Sequence, residues 1–155
     1  MKRLGLLLLA IVTVTGLAGC GVTNYALKGA ATTPVDDVYS CAVSQLTAMA
    51  YEIGKEDRAA GIAQGQKLTE GWWQLNYGSW GGNAYDAITV TVVDGQAGAP
   101  CIVQASGETY LVPGNGNAAG VKSQHPPSNQ VQADVNALLS ACKVGDIKGA
   151  ATPKN

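Results

Sequence analysis

The side chains best suited to covalent chemistry in this sequence are four cysteines and a single histidine, His125. One cysteine, Cys20, closes the stretch LAGC near the start of the chain. A thiolate is a strong nucleophile, so Cys20 could carry a diacylglycerol group as a thioether. The residues around it decide whether that chemistry is expected.

The first twenty residues combine positive charge with an apolar run. Lys2 and Arg3 precede Leu4 to Val14, which contains no charged residue. A short basic region followed by about 7–15 apolar residues is typical of a secretory signal peptide. A membrane-spanning helix needs about 20 apolar residues, so we expect residues 1–19 to be removed.

The segment Leu17-Ala18-Gly19-Cys20 resembles the lipobox of bacterial lipoproteins, in which Leu and two small residues precede a lipid-bearing Cys. The resemblance implies cleavage before Cys20, lipid on its sulfur and, usually, a further acyl chain on the new amino group. Two or more chains anchor a protein firmly, so the expected partner is the membrane. Gly21, where Asp would favour inner-membrane retention, implies the outer membrane facing the periplasm, or the outer face of the plasma membrane in a single-membrane host.

Composition bounds what remains after cleavage. Of 155 residues, 136 stay, and without Lys2 and Arg3 eight basic side chains face eleven acidic ones. This length suits one domain. The chain lacks the positive stripe that nucleic-acid binding requires, so nucleic acid is not an expected partner.

The three remaining cysteines predict one disulfide, because an envelope compartment is oxidising. Three pairings are open among Cys41, Cys101 and Cys142. We expect Cys101–Cys142, which would join a strand to the second helix and closes a shorter loop than Cys41–Cys142, the pairing that would join the two helices.

No motif in the sequence predicts catalysis, a metal or a cofactor. A cysteine–histidine pair would need a free thiol beside His125, and the spacing gives it no support. The match to G-x-G-x-x-A at 114–119 is followed by Pro126-Pro127 rather than by a helix start, which a dinucleotide site requires. We therefore expect no enzyme.

Two helices are predicted to bracket a run of strands. Thr33 as cap, Pro34 in the first turn and the spacing of Val38, Ala42 and Leu46 predict a helix over about 34–50. The second helix begins at Ser128 or Asn129 and ends at Gly145. Its apolar face comprises Val131, Val135, Leu138, Leu139 and Cys142.

The strands between the helices are read from alternation and turn residues. The predicted strands are 51–53, 62–68, 88–92, 101–106 and 109–112, with a charged turn at 54–61, a turn at Ser106-Gly107 and a loop over 113–129. The fold class is therefore α+β: an antiparallel sheet of hairpins with two helices packed on one face. The predicted organisation is signal peptide 1–19, lipidated Cys and tether 20–33, domain 34–145 and flexible tail 146–155.

The stretch GWWQLNYGSWGG, residues 71–82, holds all three tryptophans. Alternation places Trp73 toward the core, whereas Trp72 and Trp80 are candidates for surface contact with a ligand or partner. Exposed tryptophans stack on sugar rings or act as hot spots of an interface.

Three hypotheses for function follow. The first is a membrane-anchored envelope lipoprotein acting as a non-enzymatic binding or structural module, since the mature part loosely resembles small periplasmic domains of outer-membrane lipoproteins. The second is a module that binds glycan or lipid through Trp72 or Trp80. The third is a small cell-wall-modifying enzyme. An envelope protein or a cell-wall glycan is the expected partner besides the membrane.

Overall fold

The computed structural model describes residues 24–69, 82–95, 99–113 and 123–149. In these ranges the chain forms a seven-stranded antiparallel sheet and two helices, which confirms the predicted α+β class. The elements in chain order are β1 (Asn24–Ala31), α1 (Val35–Ala48), β2 (Glu52–Asp57), β3 (Ile62–Leu68), β4 (Gly82–Val93), β5 (Cys101–Pro113), β6 (Ser123–His125), α2 (Asn129–Ala141) and β7 (Gly145–Lys148).

The sheet is organised around the long hairpin of β4 and β5. The strand order is β2-β3-β4-β5-β1-β7, and the register of the central hairpin runs from Gly82 opposite Pro113 to Val93 opposite Ile102. On its other side β5 pairs with β1 along its first half and with β6 near its end, at Thr109–Leu111. The two shorter strands therefore share one flank of β5.

Both helices cover the same face of the sheet. The inward residues of β4, namely Ile88, Val90 and Val92, join residues of α1 and α2 in one buried cluster. Gly107 of β5 lies directly under α2, because a Cβ there would come 2.8 Å from the Val131 Cγ2 atom. The absent side chain lets the helix approach the sheet closely.

The helix ends differ slightly from the predicted ones. Pro34 precedes α1 at the cap position, where its carbonyl accepts the N–H of Val38 at 3.1 Å, and no side chain caps the helix. Ala50 has φ 62° and Lys143 has φ 56°. Such left-handed residues close helices, so α1 ends at Ala48 and α2 at Ala141, not at Gly145 as predicted.

The predicted tether and tail contain strands. Asn24–Ala31 forms β1 between β5 and β7, and Gly145–Lys148 pairs with it, with Lys28 opposite Lys148. The folded domain thus includes residues predicted to lie outside 34–145. The alternation of buried and exposed residues in β1 is not evident from the sequence, because many of its residues are small. Its inward positions include the buried Leu27 and Ala31. A Cβ on Gly29 would come 2.5 Å from the Gly145 carbonyl oxygen, so Gly29 lets β7 lie close.

The first hairpin is longer than predicted. Lys55, Glu56 and Asp57, assigned to a turn, belong to β2, and the turn is confined to residues 58–61. As β2 is at the edge of the sheet and mostly exposed, it lacks the apolar alternation of a covered strand. Charged residues on an edge strand also discourage pairing with other chains.

Two further turn and loop predictions were wrong. The strand β5 runs unbroken from Cys101 to Pro113, through the turn predicted at Ser106-Gly107. Its Gly107 serves helix packing and not chain reversal. The predicted loop over 113–129 contains the short strand β6, which includes His125.

The structure confirms a disulfide but corrects its pairing. Cys41 of α1 is bonded to Cys142, just after α2, with Cα atoms 5.8 Å apart. Cys101 is a free, buried thiol, 3.5 Å from the Thr33 carbonyl oxygen. The expected Cys101–Cys142 pairing was wrong because the helices lie side by side on the sheet, while Cys101 lies beneath the connection from β1 to α1.

Candidate functional site

The residues singled out from sequence fall into two groups. Cys20, Trp72 and Trp80 lie outside the described residues, so their assigned roles remain predictions. Cys101 and His125 are described, but they lie far apart. Cys101 begins β5, whereas His125 is on β6. His125 is paired with Thr109, eight positions beyond Cys101, which is about 26 Å at the rise of a strand. They cannot act as a cysteine–histidine pair.

A cavity of about 470 Å³ opens where the end of α1, the end of β3 and the first turn of α2 meet. Its volume falls in the range of small-molecule sites, about 300–1,000 Å³. The lining residues are Met49, Ala50, Lys67, Leu68, Thr69, Asp86 and Gln130. Ala50, Leu68 and Gln130 are exposed at its mouth, whereas Asp86 is fully buried at its floor.

A cluster of polar side chains centred on Asp134 adjoins the cavity through Lys67 and Gln130, which line it. The Lys67 ammonium lies 2.5 Å from Asp134 Oδ2, and the Tyr51 hydroxyl donates to the same oxygen at 2.9 Å. Gln130 Nε2 donates to Asp134 Oδ1 at 2.8 Å. The Lys67 ammonium also lies 4.4 Å from the centre of the Tyr51 ring. The cluster therefore joins β3, α2 and the connection from α1 to β2, which contains Tyr51.

The sequence places Lys67 on the helix-covered face by simple alternation. Ala63, Gly65 and Lys67 share that face of β3. A Cβ on Gly65 would lie 2.9 Å from the Tyr51 Cβ atom, so the glycine leaves room for Tyr51 across the strand. Lys67 comes two positions later, and its side chain remains 19% exposed in its ion pair with Asp134.

The proton on Tyr51 is held firmly. Burial raises the pKa of Tyr51 far above its ordinary value, and the charge of Asp134 and the hydrogen bond to it raise the pKa further. Tyr51 therefore remains a neutral donor at all physiological pH values. It positions Asp134 and is unsuited to act as a general base.

The raised pKa of Tyr51 predicts a loss of stability at alkaline pH. In the unfolded chain Tyr51 ionises near pH 10, whereas in the folded protein it keeps its proton, so its contribution is full below pH 10 and falls above it. From pH 10 to 11 the free energy of unfolding should fall up to about 1.4 kcal/mol more steeply in the native protein than in Tyr51→Phe. Urea unfolding at several pH values measures both slopes, and parallel curves would contradict the assignment.

A second polar cluster surrounds Asp86 and fixes the start of α2. The hydroxyls of Thr109 and Ser128 donate to its two oxygens at 2.6 and 2.8 Å. The Ser128 hydroxyl also accepts the N–H of Val131 at 3.0 Å, which is the predicted helix cap. Because the helix N-terminus is partly positive, it helps to stabilise the buried carboxylate. This arrangement holds Gln130 at the mouth of the cavity.

Three polar groups on the cavity wall retain unused hydrogen-bonding capacity within the described ranges. The Thr69 Oγ1 atom is buried and has no partner there, although the Thr69 N–H is fixed by the Ala84 carbonyl at 2.8 Å. Gln130 uses its Nε2 on Asp134 and leaves Oε1 as an acceptor. Lys67 has three N–H donors, of which two point to Asp134 and, at 3.5 Å, to the Met49 carbonyl.

The orphaned hydroxyl of Thr69 predicts an unusual stability effect. A buried polar atom without a partner costs about 1–3 kcal/mol. Thr69→Val removes that atom with little change of shape, so it should raise the free energy of unfolding by about 1 kcal/mol. Urea unfolding of Thr89→Val, a half-buried threonine on the opposite face of the sheet, is the control and should change little. A destabilised Thr69→Val would show that the hydroxyl has a partner.

The polar clusters formed by Tyr51, Lys67, Asp86 and Asp134 were not identified from the sequence. Two of these residues, Asp86 and Asp134, could have been recognised in the sequence, because they are acidic residues on otherwise apolar faces. Asp134 falls between Val131 and Val135 on the buried face of α2, and Asp86 shares the parity of Ile88. A charged residue at a core position marks a polar cluster.

The structure bears on metals and membranes only within the ranges that it describes. There, no three His, Cys, Asp or Glu side chains gather as a metal site would require. Neither helix in that part of the chain combines the length and apolarity needed to span a membrane.

The arrangement as a whole is an open cavity whose lining mixes polar and apolar residues. Comparison with known proteins adds no relative from which a role could be transferred: no protein-family model matches the chain, and no curated protein sequence matches it.

Proposed function

We propose that this chain is a membrane-anchored envelope lipoprotein whose folded domain binds a ligand or partner and does not catalyse a reaction. The cavity between α1, β3 and α2 carries the binding part of this proposal. Its charged groups already have partners within the protein: Lys67 is paired with Asp134, and Asp86 accepts hydrogen bonds from two hydroxyls. Such groups recognise a ligand by fixed geometry and are poorly suited to proton transfer.

The anchoring part is supported by the resemblance of residues 17–20 to a lipobox and by their position relative to the fold. Cys20 lies four residues before Asn24, where β1 begins. A chain reaches at most about 3.6 Å per residue, so lipid on Cys20 would keep β1 within about 14 Å of the membrane interface. The Cys41–Cys142 disulfide fits the oxidising compartment in which such proteins reside.

Glycan binding is the more specific form of this function. The segment 70–81, which contains Trp72 and Trp80, follows Thr69, and Thr69 lines the cavity. Trp72 and Trp80 lie outside the described residues, so their contacts are part of the proposal and not of the cavity geometry. Their side chains favour a glycan as the ligand of the domain because exposed tryptophans can stack on sugar rings.

Metabolic labelling tests the anchor. In the native host, labelled palmitate should enter the wild type and Cys101→Ala equally, and should be absent from Cys20→Ala. Cys101→Ala is the matched control because it removes the one thiol that is free in the described part of the domain. Equal labelling of Cys20→Ala would refute lipidation at this position.

A separate assay tests the binding part. The protein purified from membranes should bind cell-wall fragments without cleaving them. Reproducible hydrolysis that a single point substitution abolishes would contradict a non-enzymatic module.

A further inference from the structure

The two edges of the sheet carry opposite charges. At one edge, β2 holds Glu52, Glu56 and Asp57 against Lys55, which gives this strand a net charge of −2. Five strand spacings of about 4.8 Å place the other edge about 24 Å away. This separation exceeds the Debye length of about 8 Å in physiological salt, so a charged surface that meets one edge is screened from the other.

The opposite edge, which we call the basic edge, consists of Lys28 on β1 together with residues 143–148, which include β7. It holds Lys28, Lys143 and Lys148 against one acid, Asp146, so its net charge is +2. All three lysines are exposed. The basic edge is therefore positive and open to a partner, although the chain as a whole is acidic.

The lysines of the basic edge lack counter-charges within the described residues. Lys28 is directly opposite Lys148 in the pairing of β1 with β7, and like charges in that position destabilise a sheet. The salt bridges of the described ranges involve Arg58 and Lys67 instead. An anionic surface laid against this edge would relieve the repulsion between Lys28 and Lys148.

The basic edge is also the edge nearer to the expected anchor, because β1 pairs directly with β7. Cys20 lies four residues before Asn24, where β1 begins, and four further residues lead to Lys28. Four extended residues reach at most about 14 Å. The chain after Cys20 is thus long enough for β1 to lie along a membrane.

An upright domain would meet the membrane less favourably. It would direct the Asn24 end of β1 toward the headgroups, and Glu108 of β5 is directly opposite Asn24. An anionic surface would repel this carboxylate, whereas the same surface would attract the lysines of the basic edge. The charges therefore favour a domain that lies on its side.

We propose that the basic edge docks on the anionic phospholipid headgroups of the membrane that carries the Cys20 lipid, with Lys28, Lys143 and Lys148 contacting the phosphates. The exposed Ile147 lies in the same edge, and surfaces that bind a membrane interface combine cationic with apolar side chains. Docking directs the acidic β2 edge away from the membrane. The inference rests on the proposed function, which supplies the membrane, and adds the orientation of the domain on it.

The test uses the lipidated protein from native membranes, reconstituted in vesicles of phosphatidylcholine alone or with one third phosphatidylglycerol. Brief acetylation with a membrane-impermeant ester, followed by mass spectrometry, gives the rate of each lysine relative to Lys55 on the β2 edge. Lys28, Lys143 and Lys148 should react at least about threefold more slowly on the phosphatidylglycerol vesicles, since each lysine near an anionic surface contributes about 1 kcal/mol, a factor of about five. Salt at about 1 M should abolish the difference, because the Debye length falls to about 3 Å.

Matched variants locate the contact. Lys28→Gln combined with Lys148→Gln should reduce the protection of Lys143 to less than about twofold. Arg58→Gln, which removes an exposed cation just after β2, should leave that protection unchanged. Thermal unfolding of each variant shows that it is folded. Equal relative rates on both vesicles, or protection of Lys143 that the double substitution does not change, would overturn the inference.

Two further measurements separate the other outcomes. Soluble polyglutamate is added to the phosphatidylcholine vesicles, and protection equal to that by phosphatidylglycerol would assign the edge to an acidic polypeptide and overturn docking on lipid. Flotation tests the anchor: protein that floats with phosphatidylcholine vesicles but shows no protection on phosphatidylglycerol loses the docking alone. Flotation only with phosphatidylglycerol would keep the docking and overturn the lipid anchor, and flotation with neither would overturn both.

Discussion

Asp134→Ala should lower the free energy of unfolding by about 3–5 kcal/mol, because it leaves the ammonium of Lys67 inside the protein without its counter-charge. The carboxylate also accepts hydrogen bonds from Tyr51 and Gln130, so the substitution leaves two further donors without their acceptor. Urea unfolding at pH 7 with linear extrapolation measures the change.

A double substitution separates the loss of an ion pair from the loss of packing. Lys67→Met combined with Asp134→Leu replaces both charges by apolar groups of similar size, which is often neutral or stabilising for a buried pair. We expect the double variant to be more stable than Asp134→Ala by at least about 2 kcal/mol. If the single variant lost less than about 1 kcal/mol, the pair would behave as an exposed salt bridge.

Removing the disulfide should have a comparable effect. Cys41→Ser combined with Cys142→Ser should lower the free energy of unfolding by about 2–5 kcal/mol, because the bridge spans 101 residues and constrains most of the unfolded domain. Loss of the cross-link also removes the covalent link between α1 and the end of α2. Thermal unfolding with and without dithiothreitol measures the same effect in the native chain.

Cys101→Ala is the control for the disulfide. It removes a buried thiol but no cross-link, so its melting temperature should still fall on addition of dithiothreitol. The serine double variant should be insensitive to dithiothreitol. A native chain whose melting temperature does not respond to the reductant would contradict the observed pairing.

The elements that the sequence predicted correctly are those with strong periodicity. The alternation around Ile88 and Val90 gave a central strand, and the 3.6-residue spacing around Leu46 and Val135 gave the two helices. These patterns persist because one face of each element is buried and the other is not. The α+β class follows from their order along the chain.

The elements that the sequence revealed only in part or not at all lack such a contrast. The edge strand β2 is mostly exposed, and β1 uses Gly29 and Ala31 where larger residues would mark a buried face. β2 is specified by its hairpin with the adjacent β3, and β1 by pairing with β5, which is distant in sequence. A local pattern cannot report such a partner.

The residues of the site could be predicted from the sequence only in part, for a related reason. Asp86 and Asp134 stand out as acids on apolar faces, so a polar cluster could have been predicted. That Lys67 and Tyr51 reach Asp134 depends on how β3 and α2 pack against each other, across 67 and 83 residues of sequence. The cysteine pairing depended in the same way on the side-by-side packing of the helices.

The central claim is that a lipid on Cys20 holds this binding domain at a membrane. The intact mass of the protein from native membranes, alkylated without reduction, tests it most directly. The account predicts loss of residues 1–19, added mass for diacylglycerol and an acyl chain, and one alkylated thiol, that of Cys101. A mass without lipid, with Cys20 alkylated as a second free thiol, would contradict the account.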